Sequence, residues 1–487
     1  YNKCTIYGDK ERVDMEGKEQ NQPMEKNSEE YIGGYVQRGK VAQAEFEKMS
    51  QEEVDTAVMN IAKAIYDHAE ELAEMAVEES GMGNVPDKTI KNQSKASIIW
   101  NHLKGKKSRG ILERDDTTGI TKIAKPMGLV ASITPLTNPI VTPMSNAMFA
   151  LKCGNAIIIT PHHRAIKSST KAVEYMNEAL TKLGMPSHLI QILDWQSREN
   201  TRNLMAQCDV VIATGGMGMV KAAYSSGKPA LGVGAGNVQC ILDRGIDYRE
   251  AVSKLVAGRA FDYGIICSGE QSAIFPKEDK EEIMKCFEEE GCLVLRQDSE
   301  RDTLREALFP EGTMNRHAIG QSTQKIGELA GLAVPEDCRV IVVEGEGYGK
   351  EELLTKEKMC PVLVVHGYND FKEGVAMAKA NLEVEGKGHS VAIHSNNREN
   401  IEYAGLQLSV SRFLVNQACS FSAGGSFFNG LNPTNTLGCG SWGNNSISEN
   451  VTYTHLMNVS RIADYMPENK VPSQEELWQL ESLTNQG

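Results

Sequence analysis

From Gly128 onward, short β-branched runs alternate with helical stretches, and this alternation restricts the fold more than any single residue does. Gly128–Thr134 and Ala156–Thr160 read as short buried strands. A helix from about Ser168 ends at Gly184-Met185-Pro186, where glycine and proline punctuate. A strand at Leu189–Leu193, a short helix opening at Ser197 and a strand at Asp209–Ala213 follow. This is the βαβαβ layout of a parallel, doubly wound nucleotide-binding sheet. A second alternating series has strands near 238–243, 271–275, 292–295, 339–344, 361–365, 390–394 and 413–416. The spacing predicts an α/β protein with two such domains in tandem, as expected for 487 residues.

Ahead of the alternation, residues 1–34 are polar and charged and read as a flexible tail. The first clear helix starts near Ser50, where Ser50 and Glu53 form a capping-box pattern. Val54, Val58, Ile61, Ile65 and Leu72 recur at helical spacing, and Gly81 stops the run. The net charge of −14 argues against nucleic acid and anionic membranes as partners. No run approaches the roughly 18 apolar residues of a membrane span, and nothing reads as a signal peptide. Eleven scattered cysteines without a C-x-x-C pair indicate neither a disulfide framework nor a zinc site, and a reducing cytoplasm is the expected compartment.

Cys267, in Phe261-Asp262-Tyr263-Gly264-Ile265-Ile266-Cys267-Ser268-Gly269-Glu270, lies just past an expected helix end at Gly264 and just before a strand. That setting suits a nucleophile at a cleft mouth, because backbone N–H groups and partial exposure favour a thiolate. A buried structural cysteine is the commoner fate of one thiol among eleven. Thr214-Gly215-Gly216-Met217-Gly218 stands at a strand-to-helix turn, where bare backbone can approach a phosphate. A tight turn without ligand fits those glycines equally well. A second glycine run, Gly232-Val233-Gly234-Ala235-Gly236-Asn237, precedes a strand and reads as a ligand loop or a connector.

Around these lie Lys125-Pro126-Met127-Gly128, the loop Thr134-Pro135-Leu136-Thr137-Asn138-Pro139, and Glu357-Lys358-Met359-Cys360-Pro361-Val362. Their order around Cys267 resembles the aldehyde dehydrogenase superfamily. The closing stretch, Leu437-Gly438-Cys439-Gly440-Ser441-Trp442-Gly443-Asn444-Asn445-Ser446, resembles its coenzyme A-acylating branch. The resemblance covers about residues 35–470. It implies a Rossmann-like cofactor domain at 35–239, interrupted by an excursion at 109–121, and a catalytic domain at 240–419. Residues 420–487 would return to the cofactor domain and lend a strand at about 450–466 to a small oligomerisation sheet. A homodimer or homotetramer is then expected.

The resemblance also implies roles. Cys267 matches the nucleophile, and its thiolate would form a thiohemiacetal and then, after hydride transfer, an acyl thioester. The oxyanion would be held by the Cys267 N–H with Thr137 or Asn138. Glu357 matches the carboxylate on the nicotinamide ribose. Thr134, Pro135, Thr160, Pro161, His162, Thr214, Gly215, Gly216, Gly232, Val233 and Gly234 would line the NAD or NADP site. Arg164 and Lys167 are close enough to meet a 2′-phosphate, although a solvated helix face accounts for them equally.

One departure decides the branch. Hydrolytic members carry a glutamate that activates water, and the matching slot reads Gly232-Val233-Gly234. The thioester would therefore persist until the thiol of coenzyme A attacks. His389 is either the base for that thiol or a structural histidine. Glu270 is either a base by proximity or, more commonly for such a residue, an ion-pair partner or helix cap.

Arg412 and the hydroxyls of the 417–425 loop, Ser422 among them, would receive a charged substrate tail, and Phe421 would otherwise narrow the pocket. Succinate semialdehyde is the expected aldehyde, with acetaldehyde and sulfoacetaldehyde open. Because the given chain stops at Gly487 without an alcohol dehydrogenase domain, free aldehyde would be released or consumed. A water-using dehydrogenase and a non-catalytic scaffold inside a bacterial enzyme compartment are the rival readings.

Overall fold

The computed structural model describes residues 27–478. Most of the segment read as a tail lies outside them. The tail is nevertheless shorter than expected, because a helix runs over Ser28–Phe46 with Asn27 as its N-cap. Ile32, Val36, Ala42 and Phe46 face the core. Gly39 lets the helix press on the sheet, since a Cβ there would meet Leu129 Cδ1 at 2.7 Å. The capping box at Ser50 forms as read, with Glu53 N–H donating to Ser50 Oγ at 3.2 Å and Ser50 N–H to Glu53 Oε2 at 2.8 Å. The helices Gln51–Asp67, Ala69–Ser80 and Val85–Leu103 follow, and Gly81 ends the second of these at φ 67°.

The first sheet has five parallel strands in the order Ile190–Ile192, Ala156–Thr160, Leu129–Ile133, Val210–Thr214, Ala230–Val233. The chain starts at the central strand, moves to one side, then crosses back to the other. The switch therefore falls between Leu129–Ile133 and Val210–Thr214, and a ligand crevice opens at their carboxyl ends.

The second sheet has seven parallel strands in the order Leu293–Leu295, Ile341–Glu344, Val362–Tyr368, Glu270–Pro276, Val238–Leu242, Gly388–His394, Val410–Val415. The observed strands match the expected series to within a few residues at each end. Only Gly234–Asn237 separates the last strand of the first sheet from the first-entered strand of the second. A connection that short sets the carboxyl edge of the first sheet against the amino edge of the second.

A third, antiparallel sheet joins Ile111–Asp115, Ile120–Pro126 and Met457–Ala463, with Ile120–Pro126 in the middle. The expected excursions thus meet each other within one chain. Ile111 and Ile462 remain exposed on this sheet. Leu431 and Leu437 still pack on the core of the second sheet, and the chain rejoins the core of the first at Ile447, Val451 and Leu456.

Candidate active site

Cys267 sits at the amino edge of the second sheet, facing the carboxyl edge of the first. The helix Tyr248–Ala260 ends in a tight turn in which Asp262, Tyr263 and Gly264 all have positive φ, at 52°, 52° and 67°. Two of these are not glycine, so the turn is strained and needs outside support. Asp262 supplies part of it. Its buried carboxylate accepts from Lys88 Nζ at 2.9 Å, Lys91 Nζ at 2.6 Å and the Asn84 N–H at 3.2 Å, and its own N–H donates to Asp87 Oδ2 at 2.7 Å. Arg259 supplies the rest: its guanidinium donates to the carbonyls of Glu270 (3.2 Å), Gly264 (3.3 Å) and Cys360. Gly264 has no room for a Cβ, which would lie 2.7 Å from the Cys360 carbonyl.

Gly236 packs directly on Cys267, since a Cβ there would stand 1.9 Å from its carbonyl oxygen. Burial pushes the Cys267 thiol up to about 12, and the charges of Glu357 and Cys439 add to this, while Arg412 and the residue's own backbone N–H pull it back. The resting thiol is therefore protonated at neutral pH. Glu357 accepts from the Gly236 N–H at 3.2 Å. Burial, with Glu385 nearby, raises its carboxyl to about 8.

The remaining candidates separate by what they touch. Glu270 Oε1 accepts from the Cys419 N–H at 2.5 Å, the first turn of the short helix Cys419–Ser422, so this carboxyl acts as a cap. Burial raises it to about 7. His389 is fully buried, neither ring nitrogen has a partner among the described residues, and burial lowers it to about 3. Its ring is neutral.

Arg412 is also buried, and its donors are committed to Ser390 Oγ (3.1 Å), Gly438 O (2.8 Å), Asn450 Oδ1 (3.2 Å) and His389 O (2.8 Å). It braces the base of the site, and those four bonds compete with any substrate tail. Ser422 is buried, whereas Phe421 is exposed and meets Phe261 edge-on at 5.0 Å. A cleft of about 340 Å³ is lined among others by Gly234, Ala235, Glu385, Lys387, Cys439 and Trp442.

On the facing edge, Thr134 and Pro135 follow the central strand, and Thr137 and Asn138 are half-buried in the loop that leads to the helix Val141–Lys152. Thr134 Oγ1 is buried without a partner among the described residues. Gly216 caps the helix Met217–Tyr224, and a Cβ on it would meet nothing within 4 Å, so this turn is open to a ligand. Thr214 Oγ1 lies 3.4 Å from Thr436 Oγ1. Thr160 Oγ1 donates to Gln196 at 2.7 Å, Pro161 is buried, and the exposed Arg164 donates to the carbonyl of Ser80 at the end of the helix Ala69–Ser80. Burial lowers His162 to about 4, so it is neutral. These open glycine turns and the orphaned Thr134 hydroxyl fit a dinucleotide laid across the switch point.

A family model described as "Aldehyde dehydrogenase family" matches residues 15–302. The chain is 51% identical over 452 residues to a succinate-semialdehyde dehydrogenase (acetylating) of Clostridium kluyveri, covering 93% of this chain and 100% of the relative. The chain belongs to the aldehyde dehydrogenase family. It is 40% identical to a sulfoacetaldehyde dehydrogenase of Acholeplasma over 92% of this chain and 93% of that one. A crystal structure of an acetylating aldehyde dehydrogenase from Geobacillus thermoglucosidasius superimposes with a TM-score of 0.88 at 38% identity, covering 92% of this chain and 98% of the other.

In this aldehyde dehydrogenase the glycine slot has a clear geometry. A Cβ on Gly232 would point into the helix behind, 2.8 Å from Val220 Cγ1 and 2.9 Å from Tyr224 Cε2. Gly234 would meet Met217 Sδ at 2.6 Å. Val233 is a buried strand residue. Sequence reasoning passed over Asp262, Arg259 and the lysine series of the helix Val85–Leu103. The signal for the lysines was their spacing of three and four, which puts Lys88, Lys91 and Lys95 on one helix face.

Proposed function

We propose that this enzyme oxidises a short aldehyde to its coenzyme A thioester, and that the aldehyde is succinate semialdehyde. The carrying observation is Gly236 pressed on Cys267 within a glycine run that offers the thioester no carboxylate. The names of the two relatives point the same way, since both aldehydes end in an anion.

NAD or NADP would be held by Thr134, the Thr214–Gly216 turn, Gly234 and Glu357, and supplies the acceptor for hydride. The Cys267 thiol would release its proton to solvent and its thiolate would bond to the aldehyde carbon, the same thiol taking a proton back when it is later freed. The Cys267 N–H, with Thr137 or Asn138, holds the resulting oxyanion. Loss of hydride leaves a thioester on Cys267. The thiolate of coenzyme A then bonds to the acyl carbon, and the Cys267 thiolate departs. The sum is aldehyde, oxidised cofactor and thiol going to thioester, reduced cofactor and one proton.

No carboxylate follows the strand end at Thr160-Pro161-His162-His163, where NAD enzymes often place one on the ribose, and Arg164 and Lys167 are exposed nearby. This supports NADP as an accepted cofactor. The ten described cysteines are free thiols, which fits a reducing compartment. Among the described residues, no helix is long and apolar enough to cross a membrane. The exposed small sheet supports assembly into a homo-oligomer.

The test is reduction of NAD and of NADP by succinate semialdehyde, with and without coenzyme A. Strict dependence on the thiol, abolished in Cys267→Ala, supports the reading. Equal rates without it would assign a hydrolytic reaction.

A further inference from the structure

Three lysines share one face of the helix Val85–Leu103, and two of them, Lys88 and Lys91, end on the single carboxylate of Asp262. Lys95 ends elsewhere. Its Nζ donates to the carbonyls of Gly424 at 3.0 Å and Thr434 at 3.3 Å, and it forms no ion pair among the described residues. Two such bonds leave one of its three N–H donors free.

Lys95 is also close to the nucleophile. Burial, with the charge of Lys91, lowers its pKa to about 8, and Cys267 pulls it back up. One helical turn away, Lys91 is held by Asp262, five residues before Cys267, and Lys95 Nζ is held by Gly424, so Lys95 lies where the turn leading to Cys267 meets the 417–425 loop. Lys95 is half-buried and its ammonium is held, among the described residues, only by neutral carbonyls, whereas charges withdrawn from water are normally matched by an opposite charge. Asp262 already serves two lysines, and Arg412 is bonded to the interior of the fold.

We propose that Lys95 is the anchor for an anionic group, carboxylate or sulfonate, at the far end of the aldehyde, and so sets a preference for acid-bearing short aldehydes. The inference rests on the thioester-forming reaction proposed above. Fixed by two carbonyls, the ammonium presents its remaining donor to the tail while the carbonyl carbon of the substrate reaches Cys267. An uncharged aldehyde of the same length gains nothing from it and leaves the cation unmatched.

The experiment compares the full chain with Lys95→Met and Lys95→Arg. Each is assayed for coenzyme A-dependent NADP reduction with succinate semialdehyde, sulfoacetaldehyde and butanal. In Lys95→Met the ratio of kcat/KM for succinate semialdehyde over butanal falls by about 10- to 100-fold, mainly through KM, as for loss of a charged hydrogen bond. Alkylation of Cys267 by iodoacetamide keeps its pH profile. Lys95→Arg restores part of the ratio and shifts the balance between carboxylate and sulfonate, because its fork is planar and bidentate.

An unchanged ratio in both variants overturns the proposal, as does an equal loss on all three aldehydes with a displaced alkylation profile, which would assign Lys95 to the thiol. If the methionine variant does not fold, the arginine variant alone decides by the same ratio. A wild-type enzyme that reduces cofactor equally well without coenzyme A would overturn the underlying reaction, an outcome visible before any variant is made.

Discussion

Lys91 Nζ lies 2.6 Å from Asp262 Oδ2, and that aspartate sits in a left-handed turn five residues ahead of Cys267. One carboxylate thus ties the helix Val85–Leu103 to the loop that carries Cys267. Asp262→Asn keeps a residue that tolerates positive φ but leaves Lys88 and Lys91 buried without a counter-ion. Loss of about 3 kcal/mol is expected in urea denaturation at unchanged m, as for breaking a buried pair. A loss below about 1 kcal/mol would mean that the lysines shed their protons instead.

Gly236→Ala tests the contact between connector and nucleophile. The added Cβ would stand 1.9 Å from the Cys267 carbonyl, so backbone must move. A displacement of about 1 Å at the reacting group costs on the order of 100-fold in rate. The expected result is a kcat drop of that order with a near-normal melting temperature. Gly405→Ala, in the helix Arg398–Gln407 away from the site and with nothing within 4 Å of the added Cβ, is the control for backbone entropy alone. Equal kinetics for the two variants would remove Gly236 from the description of the site.

Glu270 predicts a pH dependence of stability. Its carboxyl is raised from 4.5 to about 7 by burial, so between those values the folded state binds more protons than the unfolded chain. Its contribution is therefore fully present below pH 4.5 and lost as pH rises through 7. Glu270→Gln keeps the acceptor for the Cys419 N–H and cannot ionise. Melting temperatures of wild type and variant should agree near pH 5, and the variant should be the more stable at pH 8. Parallel curves across that range would contradict the raised value.

The parts of this site that were legible in the sequence are those defined by local pattern. Cys267 before a strand, glycines after Thr214 and the capping box at Ser50 depend on neighbours in the chain, and each appears where expected. The helix Ser28–Phe46 was hidden because much of its buried face is glycine, alanine and serine, which carry no hydrophobic period. Arg412 alternates onto the inward side of the strand Val410–Val415 with Leu414, so its burial was readable from period two, whereas its four hydrogen-bond partners come from other segments and were not. The roles of Asp262 and Lys95 depend on contacts more than 170 residues apart, and no local pattern encodes those.

Arg412 gives the last prediction. It has no carboxylate partner in its described hydrogen-bond set, and burial lowers its pKa, which the neighbouring Cys439, Cys419 and Cys267 offset only in part. Conversely, its guanidinium lowers the Cys267 pKa, against the burial that raises it. Removing the charge in Arg412→Met should slow alkylation of Cys267 by iodoacetamide at pH 8 by about 3-fold or more, since tenfold in thiolate corresponds to one pKa unit. Arg412→Lys retains charge while losing the planar fork, so it should slow alkylation less, although both variants lose hydrogen bonds and melting temperature. Cys267→Ser supplies the baseline from the other thiols. If methionine and lysine slow the reaction equally, the arginine acts by bracing the Gly438 and His389 carbonyls, and the thiolate draws its stabilisation from its own backbone N–H.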